Sequence, residues 1–112
     1  MMRKFLLFGT VFCFSAAFGV PAANAATKGN AAKGKQLVTS HCAICHNTTT
    51  TGTKMGPSLK GLFKTKKMVT GKPTNDKNVL AQINHGGGGM PAFGDQFTSQ
   101  QKQDILAYLH TL

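Results

Sequence analysis

Cys42-Ala43-Ile44-Cys45-His46 decides how this 112-residue chain is read. Thiols at i and i+3 share one face of a helical turn. From that face both sulfurs can reach the two vinyl groups of one porphyrin and form thioethers. The imidazole that follows can then place a nitrogen on the iron. C-x-x-C-H is the attachment signal of a c-type haem. Two other chemistries use paired cysteines. A thioredoxin-like C-x-x-C expects a βαβ context, and the pattern of this chain offers none. A zinc site needs a second ligand pair. No other cysteine sits nearby, so zinc would draw on His41, His85 or His110.

N-terminal to that pentapeptide, residues 1–25 read as a cleavable secretory signal. Arg3 and Lys4 form the basic start, Phe5 to Val20 is an apolar run, and Ala23-Asn24-Ala25 is an A-x-A cleavage site. The apolar run is short against the span of about 20 residues that crosses a bilayer. Cleavage is therefore expected, with no stable membrane insertion afterwards and a periplasmic location. Cys13 follows the bulky Phe12 and does not look like a lipid-attachment cysteine. The mature chain, residues 26–112, would be one domain of 87 residues with Cys42 and Cys45 as its two cysteines. Export permits a disulfide, but haem attachment uses both thiols and leaves none over.

A domain of this size has a marginal core by itself. A haem at its centre would add a large apolar surface. Without Arg3 and Lys4, eleven lysines stand against Asp76, Asp95 and Asp104, a formal charge of +8. This balance points to acidic partners or anionic surfaces. It does not point to nucleic acid, because no nucleic-acid-binding motif accompanies it.

The rest of the chain reads as helix and loop. Asn30 can cap a helix from about Ala31 to Cys42. Ala31, Gly34, Leu37, Val38 and His41 fall on one face of it. Gly56-Pro57-Ser58 is a turn. Leu59 to Lys67 is expected to hold one helical turn with Leu62 and Phe63 inward. Asn75 or Asp76 can cap a short helix through His85 with Val79, Leu80 and Ile83 on its apolar side, and Gly86 stops it. Thr98-Ser99-Gln100-Gln101 is a capping box. It opens a last helix with Ile105, Leu106, Tyr108, Leu109 and Leu112 as its apolar residues. No strand, repeat or second domain is expected.

The sixth position on the iron has several claimants. The mature methionines are Met55, Met68 and Met90, and the spare histidines are His41, His85 and His110. A thioether is a soft ligand that favours Fe(II). Met90 follows Gly86 to Gly89, which let backbone approach a cofactor closely, and precedes Pro91, which stiffens the loop. The glycine run alone could equally be a linker. A phosphate loop is not expected, because no Lys-Ser/Thr and helix follow. Met55 is nine residues from His46, too close to reach the opposite face, and Met68 lies in a basic stretch without comparable turn chemistry. Met90 is the expected ligand and His85 the alternative.

Taken together, these segments resemble a class I cytochrome c over essentially all of Asn30 to Leu112. Lys33-Gly34-Lys35 is similar to the family's first helix. Gly56-Pro57-Ser58-Leu59-Lys60-Gly61-Leu62-Phe63 resembles the segment after the proximal histidine. Met90-Pro91-Ala92-Phe93 resembles the distal-ligand loop of the short bacterial and algal members, and Ile105-Leu106-Ala107-Tyr108-Leu109 the terminal helix that packs on the first. The resemblance implies an all-α fold with three to four helices around one haem c and crossing terminal helices, with Gly34 at the crossing. It implies that the Pro57 carbonyl accepts the second imidazole N–H of His46. It also implies that lysines near the haem edge steer docking to acidic redox partners. Lys54, Lys60, Lys64, Lys66, Lys67 and Lys72 are the candidates.

The cofactor-binding set is thus Cys42, Cys45, His46, Pro57 and Met90, with His46 and Met90 on the iron. A methionine in the sixth position blocks substrate access, and no paired carboxylates or nucleophile–base constellation is present. The expected function is a soluble, monomeric, one-electron carrier and not an enzyme. The alternative is a haem-bearing accessory or sensor protein whose distal methionine is displaceable. A third class is a C-x-x-C disulfide oxidoreductase.

Overall fold

The computed structural model describes residues 28–112. The expected signal, residues 1–25, lies outside the described residues. Three α-helices follow in order: α1 (Ala31–His41), α2 (Asp76–His85) and α3 (Ser99–Leu109), with a 3₁₀ turn at Leu62–Lys64 between the first two. No strand occurs among the described residues, only isolated bridges pairing Lys67 with Pro73 and Gly87 with Met90.

Each helix starts where its capping chemistry begins. Extended backbone at Asn30 lets its side chain accept the Lys33 N–H at 3.0 Å, which satisfies one of the open donors of the first turn. Asn75 does the same for Asn78 at 2.8 Å. At α3 the reciprocal box is complete: Thr98 Oγ1 accepts from Gln101 N at 3.1 Å, and Gln101 Oε1 accepts from Thr98 N at 2.8 Å. α2 ends at Gly86, whose φ of 63° is in the left-handed region.

α1 and α3 cross closely. At Gly34 a Cβ would collide with the Asp104 carbonyl and lie 2.9 Å from Tyr108 Cβ. Only a residue without a side chain admits that approach. Gly29 makes a second such contact, where a Cβ would meet the Gln103 carbonyl and Ala107 Cβ. Beside the crossing lies the core of Val38, Val79, Ile83, Phe97, Ile105, Leu106 and Leu109. Burial of each side chain of this size contributes about 1.5–3 kcal/mol. Leu37, Leu59, Leu62, Phe63, Met68, Leu80 and Phe93 pack on its margin, partly exposed. Asp104 is buried within α3, and its Oδ1 accepts from Asn30 N at 2.8 Å and from Gln100 Nε2 at 3.1 Å. That carboxylate ties the entrance of α1 to α3.

Candidate functional site

The C-x-x-C-H segment prolongs α1 as a further turn. Cys42 N bonds to Val38 O at 2.8 Å, and His46 N to Cys42 O at 2.9 Å. Both cysteines are partly buried free thiols. Burial, with the neighbouring Cys45 as the smaller cause, pushes the Cys42 thiol up to about 11. A thiol raised in this way is a weaker nucleophile at neutral pH.

Residues 54–59 run alongside this turn. Gly56 N donates to Cys45 O at 2.7 Å, Leu59 N to Asn47 O at 2.8 Å, and Lys54 Nζ to Ala43 O at 3.0 Å. The segment delivers Pro57 to the imidazole, where its carbonyl oxygen lies 2.6 Å from His46 Nδ1. A carbonyl only accepts, so Nδ1 carries the proton. In the neutral ring Nε2 then keeps its lone pair, and no group among the described residues is bonded to it. Gly56 lies against the ring itself: a Cβ there would stand 2.8 Å from Nδ1 and 3.0 Å from Nε2.

Met90 stands on a separate element. Gly86, Gly87, Gly88 and Gly89 have φ of 63°, 116°, 62° and 91°, a run of left-handed backbone that residues with side chains rarely adopt. The run closes as a tight loop through Gly87 N to Met90 O at 2.9 Å and Met90 N to Gly87 O at 3.1 Å. After Pro91 the chain returns to α2, where Phe93 N bonds to Ile83 O at 2.9 Å and Gly94 N to Asn84 O at 3.1 Å. The run is therefore a shaped loop and not a linker. Gln82 Nε2, one α-helical turn before Gly86, lies 3.6 Å from Met90 Sδ.

Residues 29–109 match the family model described as cytochrome C oxidase, cbb3-type, subunit III. The chain belongs to the class I cytochrome c family. This cytochrome is 33% identical to cytochrome c6 of Rippkaea orientalis over 97% of its own length and 92% of the relative's. It is 32% identical to cytochrome c6 of Picosynechococcus, covering 96% and 92% of the two chains. A crystal structure of cytochrome c6 from the diatom Phaeodactylum tricornutum superposes with a TM-score of 0.59 over 74% of this chain and 93% of that one, at 24% identity, and shows the all-α fold. Membership makes the protein a haem c electron carrier and not an enzyme.

Cys42, Cys45, His46 and Pro57 form one continuous cluster, while Met90 has no hydrogen bond to any of them. The other candidate ligands lie elsewhere. Met55 is 83% exposed with its sulfur 3.9 Å from Cys45 Sγ, on the side of the C-x-x-C-H turn. Met68 packs on the core margin. His41 meets the edge of Phe97, and His110 is paired to Asp76 at 2.6 Å while stacked on Phe63. His85 is exposed at the end of α2. Sequence reasoning missed the packing of Gly56 on the imidazole, the approach of Gln82 to Met90 and the role of Asp104. The spacing of Gln82 and Met90, eight residues with a glycine stop between, is the one signal that could have exposed the second of these.

Proposed function

We propose that this cytochrome is an exported, monomeric one-electron shuttle with one haem c bonded through Cys42 and Cys45, its iron held by His46 Nε2 and Met90 Sδ. The observation that carries the reading is the His46–Pro57 hydrogen bond, which commits the proton to Nδ1 and leaves Nε2 as a neutral donor. The remaining residues fit such a group. Leu59, Met68, Leu80 and Phe93, from four different segments, show partly exposed apolar surface that a porphyrin would cover. When bound, the haem supplies an Fe(III)/Fe(II) couple for single-electron exchange.

The chain's own residues govern that couple. Pro57 fixes the tautomer and plane of His46 and raises its basicity. The loop closed by Gly87 and Met90 holds a soft thioether in place, which favours the reduced form and keeps small ligands out. Gln82 donates toward the same sulfur. Lys54, Lys60, Lys64, Lys66, Lys67 and Lys72 are all exposed, and Ile44 and Met55 present 68% and 83% of their surface to solvent. Exposed lysines and apolar side chains of this kind suit brief docking with acidic redox partners, in which opposite charge raises the encounter rate. Export by residues 1–25 places this exchange outside the cytoplasmic membrane.

Two measurements test the proposal. The purified mature protein should show sharp reduced-haem bands, and its haem should survive acid-acetone extraction. Electron transfer to an acidic partner should slow several-fold as ionic strength passes roughly 0.15 M, where the Debye length is about 8 Å. Haem released by the solvent would contradict attachment, and a salt-independent rate would contradict steering.

A further inference from the structure

We infer that Ser58 is a positioning residue for the redox centre. Its hydroxyl, braced by Asn47 and the loop of residues 47–52, holds the Pro57 carbonyl on His46 and through that hydrogen bond sets the reduction potential. The inference rests on the reading of His46 as an iron ligand and names the residues that tune it.

The accepting carbonyl of Pro57 belongs to a planar peptide unit whose other end is Ser58. The proline ring locks φ of Pro57. The carbonyl can therefore swing only about the two bonds that flank the unit, and the second of these ends on Ser58. Whatever holds Ser58 holds the carbonyl. Residues 57–59 belong to no helix or strand, so no regular backbone ladder does this.

Ser58 is held by its own side chain. Its Oγ lies 2.5 Å from Thr50 O and 3.3 Å from Asn47 O, and its one proton goes to the nearer carbonyl. The same oxygen accepts from Lys60 N at 3.1 Å. That last bond is an ordinary serine turn with its own backbone. The bond to Thr50, eight residues back, is different, because it joins two segments. Thr50 stands on a loop that Asn47 closes, with Asn47 Nδ2 donating to Gly52 O at 2.5 Å. Asn47 O also accepts from Leu59 N at 2.8 Å. Asn47 is the residue after His46, so the bonds form a closed circuit. It runs from the imidazole to Pro57, along the peptide to Ser58, across to Thr50, and back through Asn47 to His46.

The consequence is electronic. A well-held Nδ1–H bond to a carbonyl raises the basicity of the imidazole. A more basic ligand favours Fe(III) and lowers the potential. Release of Ser58 lets the carbonyl swing, weakens that bond on average and moves the balance toward Fe(II).

Two readouts on the haem-loaded mature protein test this. Proton NMR of the reduced, diamagnetic form follows exchange of the His46 Nδ1 proton with solvent, and spectroelectrochemistry gives the potential. The wild type should show a slowly exchanging, haem-shifted Nδ1 proton. Its absence would contradict His46 ligation and this inference with it. Ser58→Ala should quicken the exchange about two- to tenfold, the range that the net worth of one hydrogen bond allows, and should raise the potential. Asn47→Ala acts on the opposite side of the circuit and should move both readouts the same way. Thr111→Ala removes a similar hydroxyl bond, to Tyr108 O at 2.6 Å at the end of α3, and should leave both at their wild-type values. Unchanged exchange and potential in Ser58→Ala, with the wild-type proton present, would overturn the inference and leave His46 ligation standing. Equal shifts in Thr111→Ala would overturn it too, because the effect would then be a general loss of stability.

Discussion

The Pro57 carbonyl oxygen stands 2.6 Å from Nδ1 of His46, and Gly56 lies against the same imidazole ring. The two neighbours act on the ring in different ways. Pro57 decides where the proton resides, and Gly56 leaves room for the ring to lie where that hydrogen bond needs it.

Gly56→Ala should therefore damage the site more than an ordinary loop substitution. Its Cβ would sit 2.8 Å from Nδ1, so the ring or the Pro57 carbonyl must move. Overpacking of this kind costs about 1–3 kcal/mol. Gly52→Ala is the control, because its nearest neighbour is 3.6 Å away. Chemical denaturation of both variants checks the difference, and equal midpoints would show that the ring is free to shift.

Gly34→Leu should cost at least about 1–3 kcal/mol. The obstacle is the Asp104 backbone carbonyl, which cannot rotate aside as a side chain can. In a domain of this size each kcal/mol lowers the thermal midpoint by roughly 4–8 °C. An unchanged midpoint would mean that α1 and α3 part at the crossing without penalty.

Asp104→Ala should destabilise more than Asp104→Asn. Alanine leaves the Asn30 N–H at the entrance of α1 without its acceptor, and a hydrogen bond to a charged group is worth about 1.5–3 kcal/mol. Asparagine keeps an oxygen at the same place. Urea midpoints should rank wild type, asparagine variant, alanine variant. Equal values for the two variants would show that charge, and not the acceptor, matters.

Much of this architecture was legible before the structure. The caps at Asn30, Asn75 and Thr98 rest on local side-chain to backbone bonds, which a short window of sequence contains in full. The C-x-x-C-H turn is local in the same way. Gly34 was placed at the crossing by resemblance, and the Asp104 carbonyl supplies its physical reason. Asp104 itself was counted only as a charge, because its partner Asn30 lies 74 residues away and no local pattern announces the pairing. The four glycines before Met90 could be read as a linker, since composition alone does not distinguish floppy backbone from a closed left-handed loop. Gln82 drew no reading from the sequence, because its relation to Met90 Sδ exists only once that loop folds back.

Gln82→Leu should lower the reduction potential. An N–H directed at the thioether sulfur draws electron density from it, which weakens its donation to Fe(III) and favours Fe(II). Removal of the donor reverses that bias. Spectroelectrochemical titration of wild type and variant reads the change. A potential that stays level or rises would show that the amide does not act on the sulfur.

Carbon monoxide binding to the reduced protein tests the His46/Met90 shuttle most directly. The wild type should bind it slowly or not at all, and Met90→Ala should bind it quickly at a lower reduction potential. His85→Ala should behave as wild type. Rapid binding by the wild type, as fast as by Met90→Ala, would contradict the shuttle and favour a sensor with a displaceable methionine.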